Sequence, residues 1–354
     1  MLTVTKHGII LEKSNHDFEN DGVCNPGIFQ DGNTVHMFYR AVRKGDFSTL
    51  GYCKLTGPLT ITERSKEPVF QHEKSYEFKG VEDPRITKIG DTFYLSYNAY
   101  DGINVFGAYA ISKDLKKFER KGVITPKFTF EEYEDLVKKN CDKISDAHIR
   151  FYSLFVKYGL SELMKGKIYV WDKDLVFFPK KINGKFAVLH RLYPSIQMLY
   201  FNNPKDLTIE FWKKYITNLH KHIIMSPEGK HESAHIGAGC PPVKTEKGWL
   251  LIYHTAHTTP KGLIYHASAA LLDLKNPKIV KARLKKPLFS PTETWEKEGA
   301  VNNVVFPTGT ALFNEELYIY YGAADSRVAV ASVNINKLLD ELLKQRKGKT
   351  RQQK

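Results

Sequence analysis

From Asn25 onward, large apolar residues alternate with polar ones in short runs broken by Gly or Asn, the period-two pattern of half-buried strands. The pattern recurs as NPGIFQDGNTVHMFYRAV (Asn25–Val42), DPRITKIGDTFYLSYNAYD (Asp83–Asp101), DLVFFPKKINGKFAVLHRLY (Asp174–Tyr193), GCPPVKTEKGWLLIYHTAH (Gly239–His257) and VVFPTGTALFNEELYIYYGAAD (Val304–Asp325). The turn falls at Gly32, Gly90, Gly184, Gly248 and Asn314, residue types that reach positive φ at low cost. Further strand-like runs follow most copies: FGAYAIS (Phe106–Ser112), IQMLYF (Ile196–Phe201), HASAALLDL (His266–Leu274) and RVAVASV (Arg327–Val333). Each unit supplies three or four antiparallel strands, too few to bury both faces alone. Stacking five such units radially buries them, so the pattern predicts an all-β, five-bladed β-propeller.

The turns are spaced by 58, 94, 64 and 66 residues, so the second interval carries an excess of about 30. That excess maps to about 127–167, where FEEYEDLVKKN and IRFYSLFVKYGLSELM place apolar residues three and four apart. A helical insertion between blades 2 and 3 is expected there. The propeller is expected to span 1–334. Residues 335–354, which contain NKLLDELLKQRKGKT, are expected to be a short helix fraying into a basic tail.

Composition adds constraints. Lys and Arg exceed Asp and Glu by 14, but 335–354 carries seven basic and two acidic residues, leaving about +9 for the body. No zinc spacing, helix-turn-helix or ribonucleoprotein motif accompanies that charge, which argues against nucleic acid. No apolar run approaches the ~20 residues that a bilayer requires, and Met1–Ile10 lacks a signal-peptide layout. A cytoplasmic location without membrane partners is expected. Cys24, Cys53, Cys141 and Cys240 lie far apart and read as reduced, buried thiols.

Aligning the second strands brings Arg40, Asn98, Arg191 and His254 to matching positions, with Gly322 in the fifth copy and Tyr100, Asp101 and Asp325 just beyond. Carboxylates, guanidiniums, amides and aromatic rings converging on one funnel suit a sugar, whose hydroxyls need polar partners and whose C–H faces stack on rings. Seven of the thirteen histidines fall between His220 and His266. His254-x-x-His257 at a strand end lacks the helical H-E-x-x-H pattern, so sugar or anion contacts are expected rather than a metal.

GVEDPRITKIGDTFYLSYNAYDG (Gly80–Gly102), KINGKFAVLHR (Lys181–Arg191), IGAGCPPVKTEKGWLLIYH (Ile236–His254), AALLDLKNP (Ala269–Pro277) and NNVVFPTGTAL with YIYYGAAD (Asn302–Asp325) together resemble glycoside hydrolase family 130. The resemblance covers about Asn25 to Val333 in the family's order. It implies inverting attack on a β-mannoside, with no cofactor, no metal and a β-manno-oligosaccharide as substrate. Asp101 corresponds to the general acid, acting through a mannose hydroxyl, and Asp325 to a sugar binder. Arg40, Asp83, Arg85, Asn98, Tyr100 and His254 fall to the sugar.

Phosphorylases of the family hold phosphate with a basic cluster, which corresponds here to Lys173, Arg191 and His235. Lysine lacks the guanidinium fork and a neutral histidine lacks charge, which weakens a dianion site. Glu232, three residues before His235, is then the candidate base for water. The FFP (Phe177–Pro179) and ESxxIG (Glu232–Gly237) wording also resembles the family's hydrolytic, β-1,2-mannosidase branch, so the reading favours a β-1,2-mannosidase-like hydrolase. A β-mannoside phosphorylase, with inorganic phosphate as co-substrate, is the alternative, and a non-catalytic carbohydrate-binding propeller the second. Self-association through the insertion is compatible with either.

Overall fold

The computed structural model describes residues 2–140, 146–148 and 167–351, with only the backbone from 346 onward. Among the described residues the chain is all-β with few helices, in four sheets. The largest has eight strands and consists of two antiparallel meanders. One comprises Gly22–Asp31, Thr34–Arg43, Phe47–Thr56 and Thr60–Arg64. The other comprises Gly80–Ile89, Thr92–Tyr100, Val105–Ser112 and Glu119–Val123. They meet through one parallel pairing, Ser48 with Gly80. A Cβ on Gly80 would come within 2.7 Å of the Ser48 side chain, so this junction requires glycine.

The next sheet runs Asp172–Phe177, Phe186–Leu192, Ile196–Phe201 and Ile223–Met225. Another runs His235–Ala238, Trp249–Thr259, Gly262–Leu272 and Val280–Arg283, with Val243–Lys244 alongside. The last contains Val305–Phe313, Glu316–Ala323 and Arg327–Asn334, and its fourth strand is Thr5–Leu11, so the two ends of the chain are stitched together.

Among the described residues five apolar clusters fill the spaces between modules. Phe38, Leu95 and Ala108 join the first and second, and Tyr109, Phe177 and Val188 the second and third. Met198 and Leu251 join the third and fourth, Leu250 and Ile319 the fourth and fifth, and Met37 and Tyr320 the fifth and first. Each module thus buries both faces against its neighbours, as its two-sided apolar alternation demands.

Gly32, Gly90, Gly184 and Asn314 adopt positive φ at the predicted turns (55°, 59°, 77° and 47°). The fourth turn is built otherwise: Thr245 Oγ1 donates to Gly248 O at 2.7 Å and accepts from its N–H. Of the expected insertion, Phe130–Lys138 is helical behind a Thr129–Glu132 capping box, and most of the remainder lies outside the described residues. Cys141 lies there too, whereas Cys24, Cys53 and Cys240 are buried free thiols. A helix that the strand pattern concealed, Ile209–Thr217, packs against Phe130–Lys138 and buries Trp212, Tyr215 and Ile216. Ile335–Arg351 is helical and docks Leu338, Leu339 and Leu342 on the cluster between the fourth and fifth modules. Among the described residues no helix is long and apolar enough to cross a membrane.

Candidate active site

The inner strands of the first three modules bulge at one Asn or Asp held at positive φ: Asn25 (49°), Asp83 (49°) and Asp174 (57°). A bulge breaks the ladder locally and re-aims its side chain, and Asn and Asp tolerate this conformation better than other residues. All three residues open copies of the sequence repeat. The bulges join Asn25 and Asp83 to the predicted Arg40 and Asn98.

Asp83 is the hub of one half. Its Oδ1 accepts from Asn25 Nδ2 at 2.7 Å and its Oδ2 from Asn98 Nδ2 at 3.1 Å, with Arg40 Nη1 at 3.9 Å. Arg40 is fixed by Glu82 Oε1 at 2.7 Å and by Ser48 Oγ at 2.9 Å. Gly322, the odd member of the aligned set, leaves room for the Asn25 amide, which a side chain would strike. Burial pushes the Asp325 carboxyl up to about 6; nearby Asp83 and Glu82 add to the rise, and Arg40 and Lys173 oppose it.

The other half is cationic. A cavity of about 370 Å³ is lined by Trp171, Lys173, Arg191, Tyr193, His235 and Tyr265 among others, and among the described residues its lining includes no carboxylate. Arg191 Nε lies 2.7 Å from Asp174 Oδ2, and Arg85 Nη2 lies 3.8 Å from Asp174 Oδ1. Burial, reinforced by Arg191, holds both His235 and His254 well below the usual histidine range, so both are neutral at pH 7. A larger cavity, about 570 Å³ beside Met225, Arg283 and Gln345, contains none of these groups.

Four predicted residues have other placements. Arg85 (1% exposed) donates to Asp83 O and Gly239 O at 2.6 Å, and His254 (0%) lies against the Phe306 ring; both are packed into the interior rather than set at a substrate surface. Asp101 closes its own loop: Oδ1 accepts from Ile103 N (2.8 Å) and Asn104 N (2.6 Å), and Oδ2 from Asn104 Nδ2 (3.2 Å). Tyr100 likewise donates to Gly102 O at 2.9 Å. This loop reaches the cavity lining through Ile103 O, which accepts from the Trp171 indole at 3.2 Å.

Glu232 departs furthest from its expected role as a base. It is buried, accepts from Tyr253 OH at 2.9 Å, and meets Arg283 Nη2 at 2.7 Å through both oxygens. The same arrangement recurs at Glu19 with Tyr39 (2.7 Å) and Arg64 (2.8 Å), and at Glu77 with Tyr97 (2.6 Å) and Arg120 (3.3 Å). Glu296 repeats it with Tyr321 (2.8 Å) and Lys6 (2.5 Å). In each, a glutamate in a one-turn helix before the inner strand ties a mid-strand tyrosine to a cation on the outer strand. Glu232 thus belongs to a set of four structural latches among the described residues. The third module keeps the place with other chemistry: buried His190 stands 2.8 Å from Asp172 and 2.7 Å from Tyr215 OH.

Sequence reasoning missed Asn25, Glu82 and Asp174, although the repeats begin at or beside them. It also missed the latches, whose signal is a glutamate some twenty residues before the tyrosine that precedes each aligned position. Among the described residues no group of three or more His, Cys, Asp or Glu could hold a metal ion.

The profile of a family described as beta-1,4-mannooligosaccharide phosphorylase matches residues 10–157 and 149–344. A 1,2-beta-oligomannan phosphorylase of Thermoanaerobacter sp. (strain X514) is 32% identical over 335 residues, covering 91% of this chain and 93% of that protein. A beta-1,2-mannobiose phosphorylase of Listeria innocua serovar 6a is 29% identical over 94% of this chain and 77% of its own length. Among solved structures, a beta-1,2-mannobiose phosphorylase from Listeria innocua in complex with beta-1,2-mannobiose superposes with a TM-score of 0.70 at 22% identity, covering 96% of this chain and 99% of that one. These matches define the class: an enzyme acting on glycosidic bonds. Within it, the chain belongs to glycoside hydrolase family 130.

Proposed function

We propose that the chain is a five-bladed β-propeller that splits β-linked manno-oligosaccharides with inorganic phosphate, releasing mannose 1-phosphate with inversion. The five inter-module clusters and the joined chain ends support the blade count. Residues 1–334 then form one catalytic unit, with the insertion at about 127–167 and the helix from 335 as appendages. Two relatives that act on β-1,2 linkages, each matching more than nine-tenths of the chain, favour that linkage.

Phosphorolysis replaces the hydrolysis expected from sequence for a physical reason. Hydrolysis needs a base to activate water, and the proposed base, Glu232, is consumed in a latch. The observation that carries the reading is the cavity holding Lys173 and Arg191 with no carboxylate among the described residues of its lining. Two cations attract an anion that needs no deprotonation, whereas water there would lack a base.

In this reading a phosphate oxygen held by Lys173 and Arg191 attacks the anomeric carbon as the glycosidic C–O bond breaks. The leaving oxygen takes a proton from Asp325, directly or through a mannose hydroxyl. Burial, with Asp83 and Glu82 nearby, pushes the Asp325 carboxyl up to about 6, so it retains a proton at a pH where an exposed aspartate has lost it. Asp101, its oxygens already engaged, shapes the loop beside Trp171. Incubating the protein with β-1,2-mannobiose, with and without phosphate, tests the reading. Phosphate-dependent mannose 1-phosphate is expected; free mannose at equal rate without phosphate would overturn it.

A further inference from the structure

Beside Arg40 the surface carries an aromatic pair that the reaction itself does not use. Strand Thr34–Arg43 brings Arg40 to Asp83 and ends at Arg43, and Phe47 opens the next strand. Ser48, the following residue, binds Arg40 Nε through its hydroxyl, and its backbone N–H donates to Lys79 O at 3.0 Å. Phe47 therefore adjoins Ser48, which holds Arg40, and Phe78 adjoins Lys79, whose carbonyl fixes the Ser48 backbone. Their rings meet edge to face at 6.3 Å. Arg43 and Lys79 lie over Phe47, at 4.7 and 4.2 Å from its centroid, while Phe78 remains 58% exposed. Beside the pair runs a groove of about 250 Å³ whose walls include Arg43, Phe47, Thr49, Glu67 and His72.

Inversion decides which side the departing sugar takes. Nucleophile and leaving oxygen occupy opposite faces of the reacting ring. A nucleophile in the cavity that Lys173 and Arg191 of the third module share with His235 and Tyr265 of the fourth sends the leaving chain across the ring toward the first module, where Phe47 meets Phe78. There the chain meets Phe78, whose exposed ring suits the C–H face of a pyranose, and a groove whose polar walls suit its hydroxyls.

We infer that the Phe47–Phe78 rim and the groove beside it form a subsite for the second and later mannosyl units on the leaving side, making Phe78 a determinant of chain-length preference. This inference rests on the phosphorolytic reading for its direction, because that reading places the nucleophile opposite the rim.

Two measurements on Phe78→Ala and Phe78→Trp test it. In phosphorolysis, the ratio of kcat/KM for β-1,2-mannotetraose to that for mannobiose should fall about fivefold in Phe78→Ala and recover in Phe78→Trp. An unchanged ratio overturns the inference while leaving phosphorolysis intact. In calorimetry without phosphate, the tetramer should bind Phe78→Ala about fivefold more weakly than wild type, with a smaller change for mannobiose. Equal tetramer binding by wild type and variant overturns the inference. A wild-type protein that binds the tetramer through Phe78 yet turns over no mannoside with phosphate would overturn the reaction and support the subsite.

Discussion

Two sets of carboxylates occupy the interior of this molecule, and they do opposite work. Glu19, Glu77, Glu232 and Glu296 are saturated: each accepts from a tyrosine and lies against a lysine or arginine, so its charge is spent on holding a module together. Asp325 instead has Asp83 and Glu82 as neighbours against Arg40 and Lys173, and Arg40 is already bound by Glu82 at 2.7 Å. A carboxylate with fixed cationic partners has no proton to give. One facing another carboxylate, with too few cations to neutralise both, retains one. Burial does not separate the sets; the number and kind of partners does.

The largest effect separating the two sets is expected at Asp325, the carboxyl held up to about 6. Asp325→Asn should lower kcat about 1,000-fold with no loss of melting temperature, since general acids contribute about 10²–10⁴; a drop under tenfold would assign the proton elsewhere. At the opposite set, Glu232→Gln should leave kcat per folded molecule within about twofold while costing about 3 kcal/mol of stability, because Arg283 loses its buried counter-charge. Chemical denaturation alongside kinetics reads both, and a catalytic collapse without destabilisation would restore Glu232 as a base.

Titration sharpens the contrast. Folding raises the Asp325 pKa from 3.8 to about 6, so the folded state binds more protons than the unfolded chain between those values. Stability is therefore lost as pH rises through that window, and the cost persists above it. Asp325→Asn should recover about 3 kcal/mol at pH 7.5 and almost none at pH 4. Equal gains at both pH values would detach the shift from ionisation. The smallest effect belongs to Asp101: Asp101→Asn should reduce kcat no more than about tenfold, through loop placement beside Trp171 rather than loss of the acid.

Strands and their turns were legible because burial on two faces writes alternation into the sequence, and Gly32, Gly90 and Gly184 mark the turns. Ile209–Thr217 was hidden because only its Trp212, Tyr215 and Ile216 face the core, in a stretch without repeat partners. Aligning repeats, a method that sees strand position, drew Arg40, Asn98, Arg191 and Asp325 into one candidate set. The partners of Asp101 and Glu232 were not legible, because they come from other segments: Asn104 across a tight loop, and Arg283 from an outer strand 51 residues away. Tyr39, Tyr97, Tyr253 and Tyr321 recur beside the aligned positions, and pairing each with its upstream glutamate would have identified the latches from sequence.

The most direct test is an NMR time course of β-1,2-mannobiose cleavage in phosphate buffer. The account predicts α-mannose 1-phosphate as the first sugar product, formed at a rate that saturates with phosphate and falls about 1,000-fold in Asp325→Asn. First-formed free mannose, at a rate indifferent to phosphate, would contradict it.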